Sequence, residues 1–356
     1  MPAPRAPIEL REFPEPELAP GSALLRTAFS EVCGTDVHLW HGRLSGVPYP
    51  IIPGHVTTGT LNAVRGTIAD VDGRPLREGD RVAFYDVHRT CGRCLACTVH
   101  RTPTRCPSRR VYGITDSATE GLFGGWSQKV YLEPGVVMAR LPDAVSFEAY
   151  IGGGCGLLTS VHIIDRATIG LGDTVVVQGA GAVGLSAAAL ARRAGAGRVI
   201  VIGGPADRLA LAREMGADEV VDLDGTAEAR IERVRALMGG GADVVIEAAG
   251  SARAFEEGLE IVRDGGTYVI AGHYTNVGDS TVNAHRHINR KHLDIRGCWG
   301  SEAGHFLRAL HLLERYAGEI PWARIGARVY GLSGLNDAIA EAEAFRIPKA
   351  LVNPWI

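Results

Sequence analysis

No stretch of this 356-residue sequence approaches the roughly 20 apolar residues that a membrane-crossing helix needs. The opening run, MPAPRAPIELREFPEPELAP, is rich in proline and acids and lacks the apolar core of a secretory signal. Excess charge is missing as well. Lys and Arg total 37 against 40 Asp and Glu, a formal net charge of −3, so no long-range field draws the chain to nucleic acid or to an anionic membrane. Short basic pairs such as Arg109-Arg110 and Arg192-Arg193 read as solvated surface. There is no internal repeat and no low-complexity segment. Together these absences predict a cytoplasmic protein without nucleic-acid or membrane partners, in a compartment where thiols stay reduced. Its seven cysteines are then candidates for metal binding or catalysis rather than for disulfides.

What is present fits a globular α/β protein. The hydrophobic fraction of 46% allows a large buried core, and the length suits two domains better than one. Up to about Gly156 the chain reads as β-rich, with Gly and Pro punctuating short apolar runs such as Val82-Ala83-Phe84. From about Thr174 the pattern changes. Strands at Val175–Val177, Val199–Ile202, Val220-Val221, Val244–Ile246 and Tyr268–Ile270 alternate with helical stretches up to Ala194 and near 206–215, 228–237 and from 253. That alternation predicts a parallel sheet covered on both faces. A further helix is expected near 306–316, followed by Gly- and Pro-broken segments. The plan that results is a β-rich domain over 1–156, an inserted α/β domain over 157–302, and a return to the first domain over 303–356.

Within the α/β part, Val177-Gln178-Gly179-Ala180-Gly181-Ala182-Val183-Gly184 is a G-x-G-x-x-G that follows a strand and opens a helix. Gly179 permits the tight turn, Gly181 lets backbone approach a pyrophosphate, and Gly184 lets helix and strand pack closely. The free amides and dipole at the helix start, including those of Ala182 and Val183, then hold the phosphates. A bare glycine-rich connection is the alternative, but the strand–turn–helix context favours a dinucleotide. The second strand, which normally ends in an acid for the ribose hydroxyls, here ends Ile202-Gly203-Gly204, with no carboxylate before Asp207. Gly203 removes repulsion toward a 2′-phosphate and Arg208 could attract one, which favours NADP. NAD held by Asp207 or by backbone is the other reading.

Cys91, Cys94 and Cys97 at C-x-x-C spacing, with Cys106 further on, offer four thiolates on one lobe. That donor set matches a closed tetrahedral zinc of the structural type, which in small zinc domains contributes on the order of ten kcal/mol to folding. His88 and His100 flank the lobe and read as surface histidines. Cys33, His55 and Cys155 remain as possible members of a second site, too far apart in sequence for spacing to unite them. Taken singly, each is as well explained as a core residue.

The segments Cys33-Gly34-Thr35-Asp36-Val37-His38, Pro53-Gly54-His55, the four-cysteine lobe, Gly153-Gly154-Cys155-Gly156-Leu157-Leu158-Thr159-Ser160-Val161-His162 and the glycine-rich turn occur in one order along the chain. In that order the sequence resembles the zinc-containing medium-chain dehydrogenase/reductase family, of the alcohol dehydrogenase type. The resemblance implies a GroES-like catalytic domain split around a Rossmann domain, with the active-site zinc in the cleft, and a homodimer or homotetramer. Cys33, His55 and Cys155 would be the zinc's protein ligands, the Cys₂His set with one open position known for alcohol dehydrogenases, and Asp36 would orient His55. Such a set leaves zinc electrophilic enough to polarise an alcohol oxygen, on the scale by which the pKa of bound water falls from about 15.7 to about 7. Thr35 resembles the family's hydroxyl relay, His38 its solvent-side end, and Thr159 a position that contacts the nicotinamide. Trp40, Leu44, Val87 and Trp126 are candidates for lining the substrate pocket.

The implied activity is hydride transfer between an alcohol, or its ketone or aldehyde, and NAD or NADP, with two zinc ions per chain. A polyol, an amino alcohol or a biosynthetic intermediate is an alternative substrate, and a nucleotide-binding relative without chemistry is an alternative of another class. One departure bears on this choice. The family usually carries glutamate after the ligand histidine, and here Val56 follows His55. Cys298, matched to no ligand, reads as a small core residue.

Overall fold

The apolar run at Ala23-Leu24-Leu25 forms the start of a long strand that pairs with three others, two from the first half of the chain and one from its last residues. The computed structural model describes residues Met1–Ile356 and divides into two units. One comprises Met1–Gly154, Glu302–Ala317 and Trp322–Ile356, and the other Cys155–Ser301 with Gly318–Pro321.

In the first unit the elements run β1 (Ala23–Val32), α1 (Gly34–Trp40), β2 (Thr57–Val64), β3 (Ile68–Ala69), β4 (Pro75–Leu76), β5 (Arg81–Phe84), β6 (Val87–Arg89), α2 (Leu95–Thr98), β7 (Arg110–Val111), β8 (Lys129–Leu132) and β9 (Met138–Arg140). After the second unit the chain returns with α8 (Ala303–Arg315), β16 (Arg328–Tyr330), α9 (Leu335–Glu343) and β17 (Ala350–Val352). These build a seven-stranded sheet of order β16-β17-β1-β2-β5-β9, with β8 also on β1. The end of β1 is flanked by β17, with Ser30, Glu31 and Val32 opposite Val352, Leu351 and Ala350. Leu25, Leu61, Val82, Phe84, Tyr112, Val130, Leu132 and Met138 pack as its core.

The second unit contains β10 (Thr174–Gln178), α4 (Ala182–Arg193), β11 (Arg198–Ile202), α5 (Ala206–Glu214), β12 (Glu219–Val221), α6 (Ala227–Leu237), β13 (Ala242–Glu247), α7 (Ala252–Ile261), β14 (Val262–Ile270) and β15 (Asp294–Gly297). Its strands lie in the order β12-β11-β10-β13-β14-β15, and every pairing is parallel. This is the doubly wound order of a Rossmann sheet. Val176, Ile200, Val245 and Tyr268 are wholly buried in its core, as expected for strands covered on both faces. No helix of the chain is long and apolar enough to cross a membrane.

Residues before Gly156 are not all strand and loop. Helix α3 (Phe147–Ala167) includes Gly152-Gly153-Gly154 and is kinked at Gly154, whose backbone is not helical, and the division between the units falls at that kink. Three glycines cost a helix about 1 kcal/mol each relative to alanine, which is why the sequence does not signal one. Contact explains the choice of residue. A Cβ on Gly152 would lie 2.1 Å from the carbonyl oxygen of Trp322. Gly152→Ala should therefore destabilise the protein by about 1–3 kcal/mol, the usual cost of overpacking, seen as a lower denaturant midpoint. An unchanged midpoint would show that this backbone contact can relax.

Candidate metal and dinucleotide sites

Cys33 is the N-cap of α1, and its amide donates to Asp36 Oδ2 at 2.9 Å in a capping box. The first turn of the helix thus fixes the backbone that carries the sulfur. Asp36 is fully buried; burial and the nearby Cys33 sulfur both raise its pKa, against the pull of His55. The expected role for Asp36 was to orient His55, but its hydrogen bond goes to the Cys33 amide, and His55 Nδ1 has no hydrogen-bond partner. Asp36 Oδ1 likewise has no hydrogen-bond partner.

His55 is held by a loop without room for larger residues. Gly54 has φ of 91°, and a Cβ there would lie 2.6 Å from Ser30 Oγ and 2.7 Å from the Trp126 ring. Trp126 donates its amide to the Pro53 carbonyl and its indole N–H to the carbonyl of Glu31. Trp126 is therefore a buried brace for the histidine loop rather than a pocket wall. Val87, another candidate for the pocket, is buried in β6 opposite Val111.

Cys155 is bonded to Gly154, the last residue of the first unit, so its Cα is one peptide step, about 3.8 Å, from that unit. Gly154 has φ of 44° and ψ of −143°, which breaks α3 just before the cysteine. The ligand atoms of Glu31, Cys33, His55 and Cys155 all lie within 4.8 Å of one another. Glu31 carries no motif that singles it out in the sequence. It is completely buried, as is Lys349, whose Nζ donates to Glu31 Oε2 at 2.5 Å and to the carbonyls of Ile151 and Gly153. Burial raises the Glu31 pKa, and Lys349 opposes that. Burial alone would lower the pKa of His55, but Cys33, Glu31 and Asp36 outweigh it and push it up to about 10. The cluster gathers two thiols, an imidazole and a carboxylate within 4.8 Å, and two thiols with an imidazole form a donor set suited to zinc.

Near this cluster, Thr35 and His38 are half-buried on α1. Burial, and then Arg43 with its Nη1 3.4 Å from His38 Nδ1, lowers the His38 pKa. Thr159 is half-buried on α3. The next residue, Ser160, donates to the carbonyls of Gly156 and Val183, tying this helix to the glycine-rich turn.

The sulfurs of Cys91, Cys94, Cys97 and Cys106 also lie within 4.8 Å of one another. Cys94 caps α2, the Cys91 amide donates to Cys106 Sγ at 3.3 Å, and Cys94 and Cys97 sulfurs are 3.5 Å apart. The backbone amides of Arg93 and Cys94 lower the Cys91 pKa to about 6. His88 departs from expectation. It is buried, with Nδ1 2.6 Å from Glu133 Oε2 and Nε2 3.0 Å from Asp116 Oδ2, because both ring nitrogens find carboxylates inside the unit. His100 is exposed.

In the second unit, Gly181 is the N-cap of α4. The space around it matches the dinucleotide reading. A Cβ on Gly179 would lie 2.8 Å from the Ala248 carbonyl and one on Gly184 1.9 Å from the Gly179 carbonyl, whereas one on Gly181 would meet nothing within 4 Å. The two outer glycines are filled by protein, and the central one faces the room that a pyrophosphate needs. Ala182 and Val183 form the first turn of α4, whose amides face the same end. Glu247, buried at the end of β13, braces the loops beside it by accepting from Ala249, Gly250 and Gly272 amides and pairing with His273 Nδ1.

Two positions near the second strand look different in three dimensions. A Cβ on Gly203 would lie 2.8 Å from Ala180 Cβ, so glycine there is required by packing. Arg208 is buried, at 6% exposure, in the first turn of α5, and burial lowers its pKa. Gly204 has open space, since a Cβ there would meet only Leu223 Cδ1, at 4.0 Å.

A parallel nucleotide-binding sheet joined to a unit carrying thiol and thiol–imidazole metal sets defines a zinc-dependent, nucleotide-linked oxidoreductase. Comparison with known proteins agrees. Residues 19–143 match the alcohol dehydrogenase GroES-like domain and residues 182–315 the zinc-binding dehydrogenase domain. The sequence is 34% identical over 351 residues to 5-exo-hydroxycamphor dehydrogenase of Pseudomonas putida, covering 97% of this chain and 95% of that one. The fold matches an alcohol dehydrogenase from Thermotoga maritima with a TM-score of 0.93 at 31% identity, covering 98% and 96%. It also matches a zinc-binding dehydrogenase from Sinorhizobium meliloti bound to NADP, with a TM-score of 0.83 at 28% identity, covering 97% and 95%. The chain belongs to the zinc-containing medium-chain dehydrogenase/reductase family, and it is an NAD(P)-dependent alcohol dehydrogenase or reductase.

The two metal clusters should respond differently to loss of a thiol. Cys94→Ala should lower the melting temperature and remove one zinc, because a closed tetrahedral site is part of the fold. Cys155→Ala should remove one zinc and abolish turnover with little change in melting temperature. Metal analysis with thermal denaturation checks both, and equal stability losses would deny the two clusters separate roles.

Proposed function

We propose that Cys33, His55 and Cys155 hold the catalytic zinc and that Cys91, Cys94, Cys97 and Cys106 hold a second, structural one. The observation that carries this reading is the convergence of two thiols and an imidazole, distant in sequence, within 4.8 Å of one another. Zinc bound there supplies a Lewis acid for the substrate oxygen. The remaining work falls to the chain. Asp36 fixes the Cys33 backbone. Thr35 takes the proton that the substrate hydroxyl must lose, and His38 passes it to solvent. The lowered His38 pKa supports this, since a neutral imidazole can accept a proton at neutral pH.

The identity to a dehydrogenase of a hydroxylated camphor supports a secondary alcohol on an apolar body as substrate. Thr159 and the Gly179–Gly184 turn serve the cofactor. We further propose that NADP is accepted, because no acid stands at the end of β11 and a relative of similar fold binds it. The packing of Gly203 and the burial of Arg208 move the discriminating position to Gly204, where a side chain fits. A homodimer or homotetramer is the assembly that family resemblance implies.

A screen of cyclic secondary alcohols against sorbitol and primary alcohols, followed by reduced-cofactor absorbance, tests the substrate class. Preference for polyols would overturn it. Thr35→Ala should cut turnover by about a hundredfold or more, the scale of lost acid–base participation, while cofactor affinity changes little. Near-normal turnover with hydride transfer rate-limiting would remove Thr35 from the relay. Gly204→Asp should lower kcat/KM for NADP relative to NAD by at least about tenfold, through repulsion of the 2′-phosphate. An NAD-preferring protein whose ratio is unmoved by this change would reverse the cofactor proposal.

A further inference from the structure

Glu31 is 0% exposed, and its two carboxylate oxygens have different surroundings. Oε2 accepts from Lys349 Nζ, whose other partners are the carbonyls of Ile151 and Gly153. Oε1 makes no hydrogen bond, although it is buried and 3.4 Å from His55 Nε2, an approach outside hydrogen-bond geometry. The His55 imidazole can answer this oxygen only while protonated, and a ring that ligates a metal is neutral, so ligation by His55 leaves Oε1 without that partner. A carboxylate oxygen of Glu31, the sulfurs of Cys33 and Cys155 and a ring nitrogen of His55 all lie within 4.8 Å of one another. Val56, the residue beside His55, is apolar and buried at 3% exposure and offers no donor.

We propose that Glu31 is a fourth metal-directed donor of the Cys33–His55–Cys155 site, with Lys349 as the residue that positions it. This rests on the reading of that cluster as the catalytic zinc site. Lys349 holds Oε2, which leaves Oε1 free of hydrogen bonds and able to serve as a carboxylate donor to a zinc held by Cys33, His55 and Cys155. Carboxylate oxygen is an established zinc donor beside sulfur and nitrogen. The surrounding backbone is shaped to this pair. A Cβ on Gly154 would lie 2.1 Å from Glu31 Oε2 and 2.2 Å from Lys349 Nζ, so the residue preceding the ligand cysteine is glycine where the pair passes. The same ammonium that anchors Glu31 takes up the Ile151 and Gly153 carbonyls at the break in α3. Ligand cysteine and carboxylate are therefore set by one cation.

A purely structural ion pair would stabilise the fold and leave the metal indifferent to Glu31. The test separates the two. Full-length Glu31→Gln removes the anion but leaves Lys349 buried, so Glu31→Gln/Lys349→Met is made beside it to remove both charges with little change in shape, a replacement that buried pairs often tolerate. Zinc release to a colorimetric chelator is followed in the wild type and both variants, with the visible spectrum of the cobalt-substituted proteins. The expected result is two zincs per chain in the wild type, one of which leaves about tenfold faster or more in both variants, with an altered cobalt spectrum and an unaffected second zinc. Release within twofold of wild type and superimposable cobalt spectra in the double variant would overturn the assignment of Glu31. A wild type holding one zinc, at the four-cysteine lobe, would instead overturn the underlying reading of the cluster, and the Glu31 assignment with it.

Discussion

The buried ammonium of Lys349 is the point on which the first unit's chemistry turns. It is wholly enclosed, and a lone charge there would be prohibitive. Its partners are a carboxylate on β1 and two carbonyls from the broken turn of α3. The three segments it joins are the ones that carry Cys33, Cys155 and the last strand of the sheet. Removing the ammonium would leave an uncompensated carboxylate and two unsatisfied carbonyls at the ligand cysteine. The pairing of β17 with the end of β1 brings the lysine there, so an ordinary strand register determines the geometry of a metal cluster.

Much of this was legible because it is local. The four lobe cysteines lie within one short segment, and their spacing alone predicts that their sulfurs converge. The glycines of the phosphate turn each have a separate steric reason, and the strand–turn–helix pattern around them survives without tertiary help. The alternating strands and helices of the second unit were readable because its buried strands are nearly continuous runs of Val and Ile. Cys33, His55 and Cys155 were different. Nothing in their spacing links them, and only the family resemblance of their flanking residues brought them together.

The features that the sequence conceals have a common cause, which is contact between distant segments. Gly152-Gly153-Gly154 gives no sign of a helix, yet α3 runs up to a break at Gly154, and backbone at Gly152 and a buried ion pair at Gly154 leave no room for a side chain. Gly203 looked like a cofactor choice and is fixed by Ala180. His88 looked like surface and is buried between two carboxylates that follow it in sequence. Glu31 gave one faint sign, an acid inside the apolar run of β1 two residues before a cysteine. Lys349 gave another, a cation on the threshold of the apolar strand β17. Neither sign has meaning until the register of the sheet places them side by side.

The sheet register also sets an order of events during synthesis. Glu31, Cys33, His55 and Cys155 are all translated before Lys349, and residues 30–32 of β1 have no partner on that edge until 350–352 emerge. A nascent chain thus holds every thiol and imidazole of the cluster while lacking the cation that arranges them. The four-cysteine lobe needs nothing that comes later than Cys106 for its own ligands. On the ribosome, then, the lobe has all four thiols early, whereas the other cluster lacks its ammonium until the last strand docks. A chain that stops before Lys349 lacks both the ammonium partner of Glu31 and the strand that pairs with residues 30–32.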